Sequence, residues 1–245
     1  MPFIAGRNAV LEALRAGQRV ERILIDAATR PSDAAVAAVV ELAGERHITV
    51  AKVARSRLDT IDPRHQGVAA EVRPFGYTPF AELLAEVRSA GQDALVLALD
   101  AVQDPQNLGT LLRTALAVRV TGVLIPERRA VGVTPAVVRA SAGAAEHMRI
   151  AQVPNLVRGL DALKEAGTWV VGLDVRSGTA YDETDLKGAL TLVVGSEGSG
   201  ISRLVREHCD LLVTLPMAGP TESLNAAVAG SIVLYQVYRN RLRGR

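Results

Sequence analysis

Hydrophobic positions along the chain follow two patterns, which together predict an α/β protein. Near the N-terminus, Val10, Leu11 and Leu14 recur at the spacing of one side of an amphipathic helix. From residue 94 onward, short continuous apolar runs alternate with helical stretches, as in a parallel sheet that is covered by helices on both faces. The predicted strands of this sheet are 95–99, 122–125, 169–174, 190–194 and 211–215.

The first seventy residues predict a small α/β unit of their own. Short apolar runs predict strands at 22–26, 48–50 and 68–72, with a helix that ends near Glu45. Pro74, Gly76 and Pro79 then fall within six residues, a density that disfavours both helix and strand. We therefore predict a first domain over residues 1–73, a linker over 74–80 and a second domain over 81–245.

Composition and charge narrow the range of functions without selecting one. Aromatic residues make up only 3% of the chain, which counts against RNA-recognition sheets and single-strand channels that stack bases on aromatic rings. The net charge of +2 does not by itself indicate a nucleic-acid partner. All but three of the 28 basic residues are Arg, whose planar fork suits phosphate, although a genome-wide bias would explain this equally well.

Cysteine content, histidine content and hydropathy indicate the compartment. Cys209 is the only cysteine and cannot form an internal disulfide, so a reducing compartment is expected. The four His and this Cys have no metal-ligand spacing, and no metal is predicted. Charge interrupts the apolar runs at Asp100 and Asp174, which is typical of buried strands rather than membrane spans. The N-terminus has no apolar signal core, and we expect a cytoplasmic protein.

The strand pattern also predicts where a ligand binds. In open parallel sheets, ligands bind beyond the carboxyl ends of the strands, which points to the loops that begin near Asp100, Gly195 and Leu215. A Rossmann-type dehydrogenase would suit the alternating pattern. However, no G-x-G-x-x-G turn follows the first strand of the second domain, which counts against that class.

The first candidate motif is 104-DPQNLGTLLRTA, which predicts a helix that starts at Asp104 with Pro in its first turn. Asn107 and Arg113 are its polar candidates for chemistry, and Arg113 points away from the apolar stripe. The alternative interpretation is that Asn107 caps the helix and Arg113 is a solvated surface residue. The apolar stripe consists of Leu108, Leu111, Leu112, Ala115 and Leu116.

The second candidate motif is 195-GSEGSGIS, a glycine-rich turn after a predicted strand. Gly195, Gly198 and Gly200 allow a sharp turn and a close approach to a ligand. The spacing matches neither a dinucleotide-binding turn nor a Walker loop. Glu197 places an anion where a phosphate would bind, which favours a cationic or hydroxyl-bearing ligand. A plain strand-to-helix turn is the alternative.

The third candidate motif is 215-LPMAGPTESLNAAVAG, in which a Gly-Pro turn precedes a helix. Thr221 or Ser223 is predicted to cap that helix. Ser223 and Asn225 would then face whatever lies at the strand ends, where the helix N-terminus also offers unpaired amides. The alternative is a capping serine and an incidental asparagine.

Taken together, the three motifs resemble the signature motifs of SpoU-type (TrmH-like) RNA 2′-O-ribose methyltransferases of the SPOUT superfamily. They occur in the same order and in the same part of the chain, and the intervening 140-ASAGAAEHMRI is also similar. The first domain, including 65-HQGVAA, resembles the ribosomal-protein-like RNA-binding domain of this family.

The resemblance implies a parallel-sheet catalytic domain with a deep trefoil knot near its C-terminus. It also implies a homodimer whose active site is assembled near the subunit interface. S-adenosyl-L-methionine would be the methyl donor, held largely by backbone atoms of Gly195, Leu215, Met217, Leu224 and Ala226.

The resemblance further implies a catalytic set. Arg113 would orient the ribose 2′-hydroxyl and an adjacent phosphate, rather than act as a free base, because a guanidinium is not deprotonated in proteins. Asn107 and Asn225 would position Arg113 or the ribose, Glu197 would hold the arginine or a nearby donor, and Ser223 would complete the network.

The motifs indicate the reaction but do not select a single target RNA. A separate N-terminal domain of this type favours a guanosine of large-subunit (23S) rRNA, with tRNA as the second candidate. A protein of a different class, a non-catalytic RNA-binding ribosome-assembly factor, would bind RNA without methyl transfer. The complete set of candidate catalytic residues counts against that class.

Overall fold

A computed structural model of the chain describes residues 3–15, 20–29, 33–175, 177–221 and 223–243. Contacts divide the chain into two compact units, Met1–Gly76 and Tyr77–Arg245. The point of division falls within the segment 74–80, where proline and glycine are dense. Each unit has its own sheet and its own hydrophobic core.

The first unit is a four-stranded mixed sheet. Its elements are β1 (Phe3–Ala5), α1 (Arg7–Arg15), β2 (Val20–Asp26), α2 (Ala34–Glu45), β3 (Thr49–Val53), α3 (Arg55–Asp59) and β4 (Val68–Val72). The strand order is β1-β4-β2-β3, and only β2 and β3 pair in parallel. Helices α1 and α2 cover Ile23 and Ile25 of β2, while Leu24 packs with Leu58 of α3. Because neighbouring strand residues point to opposite faces, the sheet has a core on each side.

The second unit is a seven-stranded sheet with helices. Its elements are α4 (Phe80–Ala90), β5 (Leu95–Leu99), α5 (Pro105–Ala117), β6 (Gly122–Pro126), α6 (Pro135–Ala140), β7 (Ile150–Val153), α7 (Leu156–Glu165), β8 (Trp169–Leu173), β9 (Thr179–Ala180), β10 (Leu190–Val194), α8 (Arg203–Glu207), β11 (Leu211–Thr214) and α9 (Ala226–Arg243). The strand order is β7-β6-β5-β10-β8-β11-β9, and every neighbouring pair is parallel.

The predicted α/β class and the parallel sheet are confirmed. The five predicted strands correspond to β5, β6, β8, β10 and β11, and the residues of all but β11 are largely buried. Strand β7 and the two-residue β9, at the two edges of the sheet, were not predicted. These strands are too short for an apolar run to stand out, and Gln152 interrupts the run in β7.

The register of the central strands brings four loops to one edge of the sheet. Val194 at the end of β10 pairs with Leu99 of β5 and with Leu173 of β8, and Val213 of β11 also pairs with Leu173. The residues that follow these strands therefore lie next to one another at the same edge of the sheet. Since the strands are parallel, this edge is the one where the general rule places ligands.

Close helix packing joins α5 to α6 and to α9, and the N-terminal ends of α5 and α9 meet at this edge. A Cβ at Gly109 of α5 would lie 2.4 Å from Cβ of Ala140 and 2.8 Å from its backbone carbonyl carbon. A Cβ at Gly230 of α9 would lie 2.7 Å from Cδ2 of Leu111. Thr114 and Ser231 also share a hydrogen bond of 2.8 Å between their hydroxyls. Glycine at these two positions therefore allows the helices to approach closely.

The C-terminal helix is also anchored at the opposite edge of the sheet. The guanidinium of Arg241 donates hydrogen bonds to the carbonyl oxygens of Asp93, Ala94 and Gly188 at 2.6 to 2.8 Å. Within the described ranges, none of the helices combines the length and apolarity needed to cross a membrane.

Replacing Gly109 with Ala tests the close contact of α5 with α6. We expect Gly109→Ala to lower the free energy of unfolding of the second unit by about 1–3 kcal/mol, because the new methyl group meets backbone atoms. Gly159→Ala is the matched control, since its Cβ would meet side-chain methyl groups of Leu124 and Val153 rather than backbone, and alanine favours the helix. Hydrogen exchange of peptides that cover residues 95–125, measured by mass spectrometry as urea is raised, reports the unfolding of this unit. Equal costs for the two variants would contradict the proposed packing.

Candidate active site

Asn225 is the N-cap of α9. Its side-chain Oδ1 accepts hydrogen bonds from the backbone N–H groups of Ala227 at 3.0 Å and Val228 at 3.2 Å. The prediction that Thr221 or Ser223 caps this helix is wrong, because the helix begins only at Ala226. Asn is among the preferred residues for this position, since a short side-chain acceptor satisfies amides of the first turn.

The other end of the Asn225 amide joins two further motifs. Its Nδ2 donates to Oδ1 of Asn107 at 2.8 Å and to the carboxylate of Glu197. Asn107 is buried within α5, whose N-cap is Asp104, so the alternative in which Asn107 caps the helix is wrong. One amide side chain thus connects the three motifs, although Asn107 precedes Asn225 by 118 residues and Glu197 precedes it by 28.

A tight turn presents Glu197 to this amide. In the glycine-rich loop, residues 195–200, Ser196 and Gly200 exchange two backbone hydrogen bonds of 3.1 and 3.0 Å. Gly198 and Gly200 have φ values of +79° and +66°, which favour glycine. A Cβ at Gly195 would lie 2.1 Å from the backbone of Gly200, so the loop folds directly onto the end of β10.

A buried carboxylate fixes the far end of this loop. Asp100, which follows β5, accepts a hydrogen bond of 2.6 Å from the backbone N–H of Ser202. Asp100 also donates its own backbone N–H to Val194 at 2.8 Å, which extends the pairing of β5 with β10. The loop is therefore held at both ends, and Glu197 lies between the two points of attachment.

Two concave sites lie on either side of Asn225. The first, which we call the polar cavity, carries the carboxylates of Asp104 and Glu197, and none of the described residues that line it is basic. Its lining residues are Ala101, Val102, Gln103, Asp104, Asn107, Ser196, Glu197, Ser199 and Ala226. Such a lining suits hydroxyl and amino groups rather than phosphate.

The second site, which we call the apolar pocket, lies at the carboxyl ends of β8 and β11. Leu215, Met217 and Leu224, three of the residues expected to hold a cofactor, lie in it together with Ser223. Ala226 lines the polar cavity instead, and Gly195 lines neither site. The complete lining is Leu173, Asp174, Val175, Thr214, Leu215, Met217, Ser223, Leu224 and Ala229.

Residues at the end of β8 also line the apolar pocket, which was not predicted. Leu173, Asp174 and Val175 belong to its lining. The Asp174 side chain is fully buried, accepts a hydrogen bond of 3.0 Å from Ser177 and forms an ion pair of 2.6 Å with Arg206. This contribution could have been predicted from the sequence. Residues 169–174 were a predicted strand, and ligands in open parallel sheets bind beyond the carboxyl ends of the strands.

Arg113 is separated from the group formed by Asn107, Asn225 and Glu197. It is exposed on α5 and makes no hydrogen bond or ion pair with any other described residue. It follows Asn107 by six residues, about 9 Å along the helix axis and on a different side of the helix. Within one chain, Arg113 is therefore free to meet a substrate or a second subunit.

Among the described side chains, no group of three or more His, Cys, Asp or Glu residues could hold a metal ion. Burial raises the pKa of the Cys209 thiol to about 12. This thiol therefore stays protonated at neutral pH and is a poor nucleophile.

Comparison with protein families matches both units. Residues 94–235 match the family described as the SpoU rRNA Methylase family. Residues 3–78 match a domain described as RNA 2′-O ribose methyltransferase substrate binding. A putative TrmH family tRNA/rRNA methyltransferase of Bacillus subtilis is 42% identical over 240 residues, which cover 98% of this chain and 96% of that protein.

Solved structures of methyltransferases share the fold. The SpoU methyltransferase AviRb from Streptomyces viridochromogenes, in complex with AdoMet, has a TM-score of 0.68 and 26% identity over 99% of this chain and 91% of its own. An AdoMet-bound rRNA methyltransferase from Sinorhizobium meliloti has a TM-score of 0.63 and 27% identity, with 97% and 86% covered. A TrmH/SpoU tRNA modifying enzyme from A. aeolicus has a TM-score of 0.57 and 28% identity, with 67% and 83% covered.

Substitution of Asn225 tests its role as the N-cap of α9. We expect Asn225→Ala to speed hydrogen exchange in the first turn of α9 about fivefold, because loss of an N-cap costs about 1 kcal/mol. Asn225→Ser should keep exchange near the wild-type rate, since a serine hydroxyl can still accept from the same amides. Hydrogen exchange measured by mass spectrometry on peptides that cover residues 226–230 checks this. Unchanged exchange in the alanine variant would contradict the capping role.

Proposed function

The chain belongs to the SpoU methylase family of S-adenosylmethionine-dependent RNA methyltransferases, and we propose that it methylates a ribose 2′-hydroxyl of structured RNA. The observation that carries the proposal is the position of Asn225. Leu224 lines the apolar pocket and Ala226 lines the polar cavity, so Asn225 lies where the two sites meet. A methyl donor in the first site and a nucleotide in the second would face each other there.

The chemistry of the apolar pocket's lining suits S-adenosylmethionine. Leu173, Leu215 and Leu224 offer apolar surface for a flat adenine ring. Residues 215–218 form neither helix nor strand, so their backbone N–H and C=O groups are not used in regular pairing and suit hydrogen bonds to a ligand. We infer that Leu215, Met217 and Leu224 hold the adenosine portion, with Gly195 and Ala226 at the rim. The bound molecule supplies an electrophilic methyl group on a positively charged sulfur.

The polar cavity suits the ribose. In-line transfer depends on holding the hydroxyl oxygen close to the methyl carbon, so placement contributes more than acid strength. Glu197 and Asn107 are both fixed by the Asn225 amide and offer hydrogen-bonding groups beside the ribose site. Ser223 lines the apolar pocket, and we expect its hydroxyl to complete this network on the side of the donor. Arg113 would orient the hydroxyl and an adjacent phosphate, which lowers the pKa of the hydroxyl without requiring a guanidinium to act as a base.

We propose that a homodimer completes the site. Val228, Tyr235 and Leu242 are exposed and follow one another at seven-residue intervals, so they form one apolar stripe along α9. Leu116 is exposed on α5, which packs against α9. An exposed apolar surface of this kind is typical of a protein interface. Pairing of this surface between two copies would bring the exposed Arg113 of α5 close to the interface.

For the substrate, we favour large-subunit rRNA, with a guanosine as target, over tRNA. The rRNA methyltransferase from Sinorhizobium meliloti aligns with nearly the whole chain, whereas the A. aeolicus tRNA modifying enzyme aligns with two thirds of it. The difference corresponds in size to the first unit, which we propose binds the RNA substrate. Transfer RNA is the second candidate.

Methyl incorporation tests the proposed function. The full chain is incubated with labelled S-adenosylmethionine and either an unmodified large-subunit rRNA transcript or unmodified tRNA, and the labelled nucleotide is mapped. We expect label on a ribose 2′-oxygen of the rRNA. Binding of both RNAs without incorporation would contradict the enzyme and support a non-catalytic assembly protein. Label on tRNA alone would contradict the rRNA preference.

Substitution of Arg113 tests its assigned role. Arg113→Ala should lower the rate of methyl transfer by roughly 10²-fold or more, the scale for loss of one preorganised stabilising group. Arg113→Lys should restore little, because an ammonium lacks the planar fork that can contact a hydroxyl and a phosphate together. Binding of S-adenosylmethionine, measured by calorimetry, should be unchanged in both. Transfer near the wild-type rate in Arg113→Ala would remove Arg113 from the mechanism.

A further inference from the structure

Besides Arg113 on α5, two further arginines lie in a loop at the ligand-binding edge of the sheet. Residues 127–134, which we call the arginine loop, connect β6 to α6 and follow the carboxyl end of β6. Arg128 and Arg129 lie side by side in this loop. Both are exposed, and neither makes a hydrogen bond or ion pair with another described residue. None of the three motifs includes them.

The arginine loop is joined to the wall of the polar cavity. The backbone N–H of Val131 donates to the carbonyl oxygen of Val102 at 2.9 Å, and Val102 lines the cavity. Arg128 precedes Val131 by three residues, so its Cα lies within about 11 Å of that Cα. The backbone of the two arginines therefore lies near the wall of the cavity proposed for the target nucleotide, within reach of long side chains.

The loop is held in place at several points. The Tyr77 hydroxyl accepts a hydrogen bond of 2.8 Å from the backbone N–H of Val133, and burial raises the pKa of Tyr77. The backbone N–H of Glu127 donates to Val153 at 2.9 Å, and Thr134 caps α6. A loop attached in this way can present its two arginines with little loss of conformational entropy on binding.

Arg129 has a backbone conformation that is unusual for a residue other than glycine. Its φ of +62° lies in the left-handed region, which few residues other than glycine adopt. Arg119 has a similar φ of +58°, but it directly follows the C-cap of α5, where this conformation commonly ends a helix. Arg129 is not at a helix end. An unusual backbone conformation without such a cause is often maintained for function.

Charge indicates what these arginines bind. The polar cavity carries Asp104 and Glu197, and none of its described lining residues is basic, so an RNA strand that enters it meets negative charge. The RNA backbone is itself an array of phosphates, which require cations nearby. The arginine loop, with Arg128 and Arg129 against the single carboxylate of Glu127, supplies a net positive charge beside the cavity wall, and an arginine fork matches phosphate oxygens.

We propose that Arg128 and Arg129 bind RNA phosphates next to the target nucleotide and thereby hold its ribose in the polar cavity. The proposal rests on the proposed RNA methyltransferase function and deepens it. The two arginines would set the affinity for RNA and the register of the strand, not the chemical step. They act on the backbone and would contribute no base specificity.

The test compares two double variants of the full chain. Arg128→Gln/Arg129→Gln removes both cations of the loop. Arg88→Gln/Arg119→Gln is the matched control, because it removes two exposed arginines near the amino ends of β5 and β6, at the opposite edge of the sheet, and includes the other left-handed arginine. The probe is an unmodified large-subunit rRNA transcript, and its affinity is measured by filter binding between 50 and 300 mM KCl, together with kcat and KM for methyl transfer.

For the loop variant we expect KM for the RNA to rise roughly tenfold and the slope of log affinity against log salt to fall in magnitude by about 1.5, from two lost phosphate contacts. The kcat at saturating RNA and the affinity for S-adenosylmethionine should match the wild type, which also shows that the variant folds. The control variant should match the wild type throughout. Equal KM and salt slope for the two double variants would overturn the inference while leaving the proposed function intact. Absence of transfer by the wild type to any RNA would contradict the proposed function, and with it this inference.

Discussion

The candidate site depends on one side chain, the amide of Asn225. Its oxygen caps α9, and its nitrogen donates to Asn107 on α5 and to Glu197 on the glycine-rich loop. Only an amide can do both, because a carboxylate lacks the donor and a hydroxyl is too short to reach in both directions. The three motifs are thereby fixed relative to one another, with the apolar pocket on one side and the polar cavity on the other.

Much of the fold was predictable, because local patterns determine it. Continuous apolar runs predicted the five central strands, and Asp104 before Pro105 predicted the start of α5, where the structure places that N-cap. The cap of α9 was not predictable in the same way. Thr221, Ser223 and Asn225 can all cap a helix, and the choice depends on Asn107 and Glu197 being present to receive the other end of the amide.

The remaining features of the site depend on strand order, which local patterns do not determine. Asp174 enters the apolar pocket because β8 lies between β10 and β11, and the arginine loop is joined to the wall of the polar cavity because β6 lies beside β5. Arg113 was predicted as the central residue, yet it lies apart from Asn107, Asn225 and Glu197 within one chain. The resemblance to SpoU-type enzymes supplied its role and the trefoil knot, and both stay predictions.

The most direct test of the central claim is methyl transfer by Asn225→Ser, which retains a helix cap but lacks the amide donor. At saturating S-adenosylmethionine and RNA, the account predicts that kcat falls by roughly 10²-fold, because Glu197 and Asn107 lose the group that fixes them. The dissociation constant for S-adenosylmethionine should stay within about threefold of the wild type, since Leu215, Met217 and Leu224 are unchanged. A kcat equal to that of the wild type would contradict the claim that the Asn225 amide organises the active site.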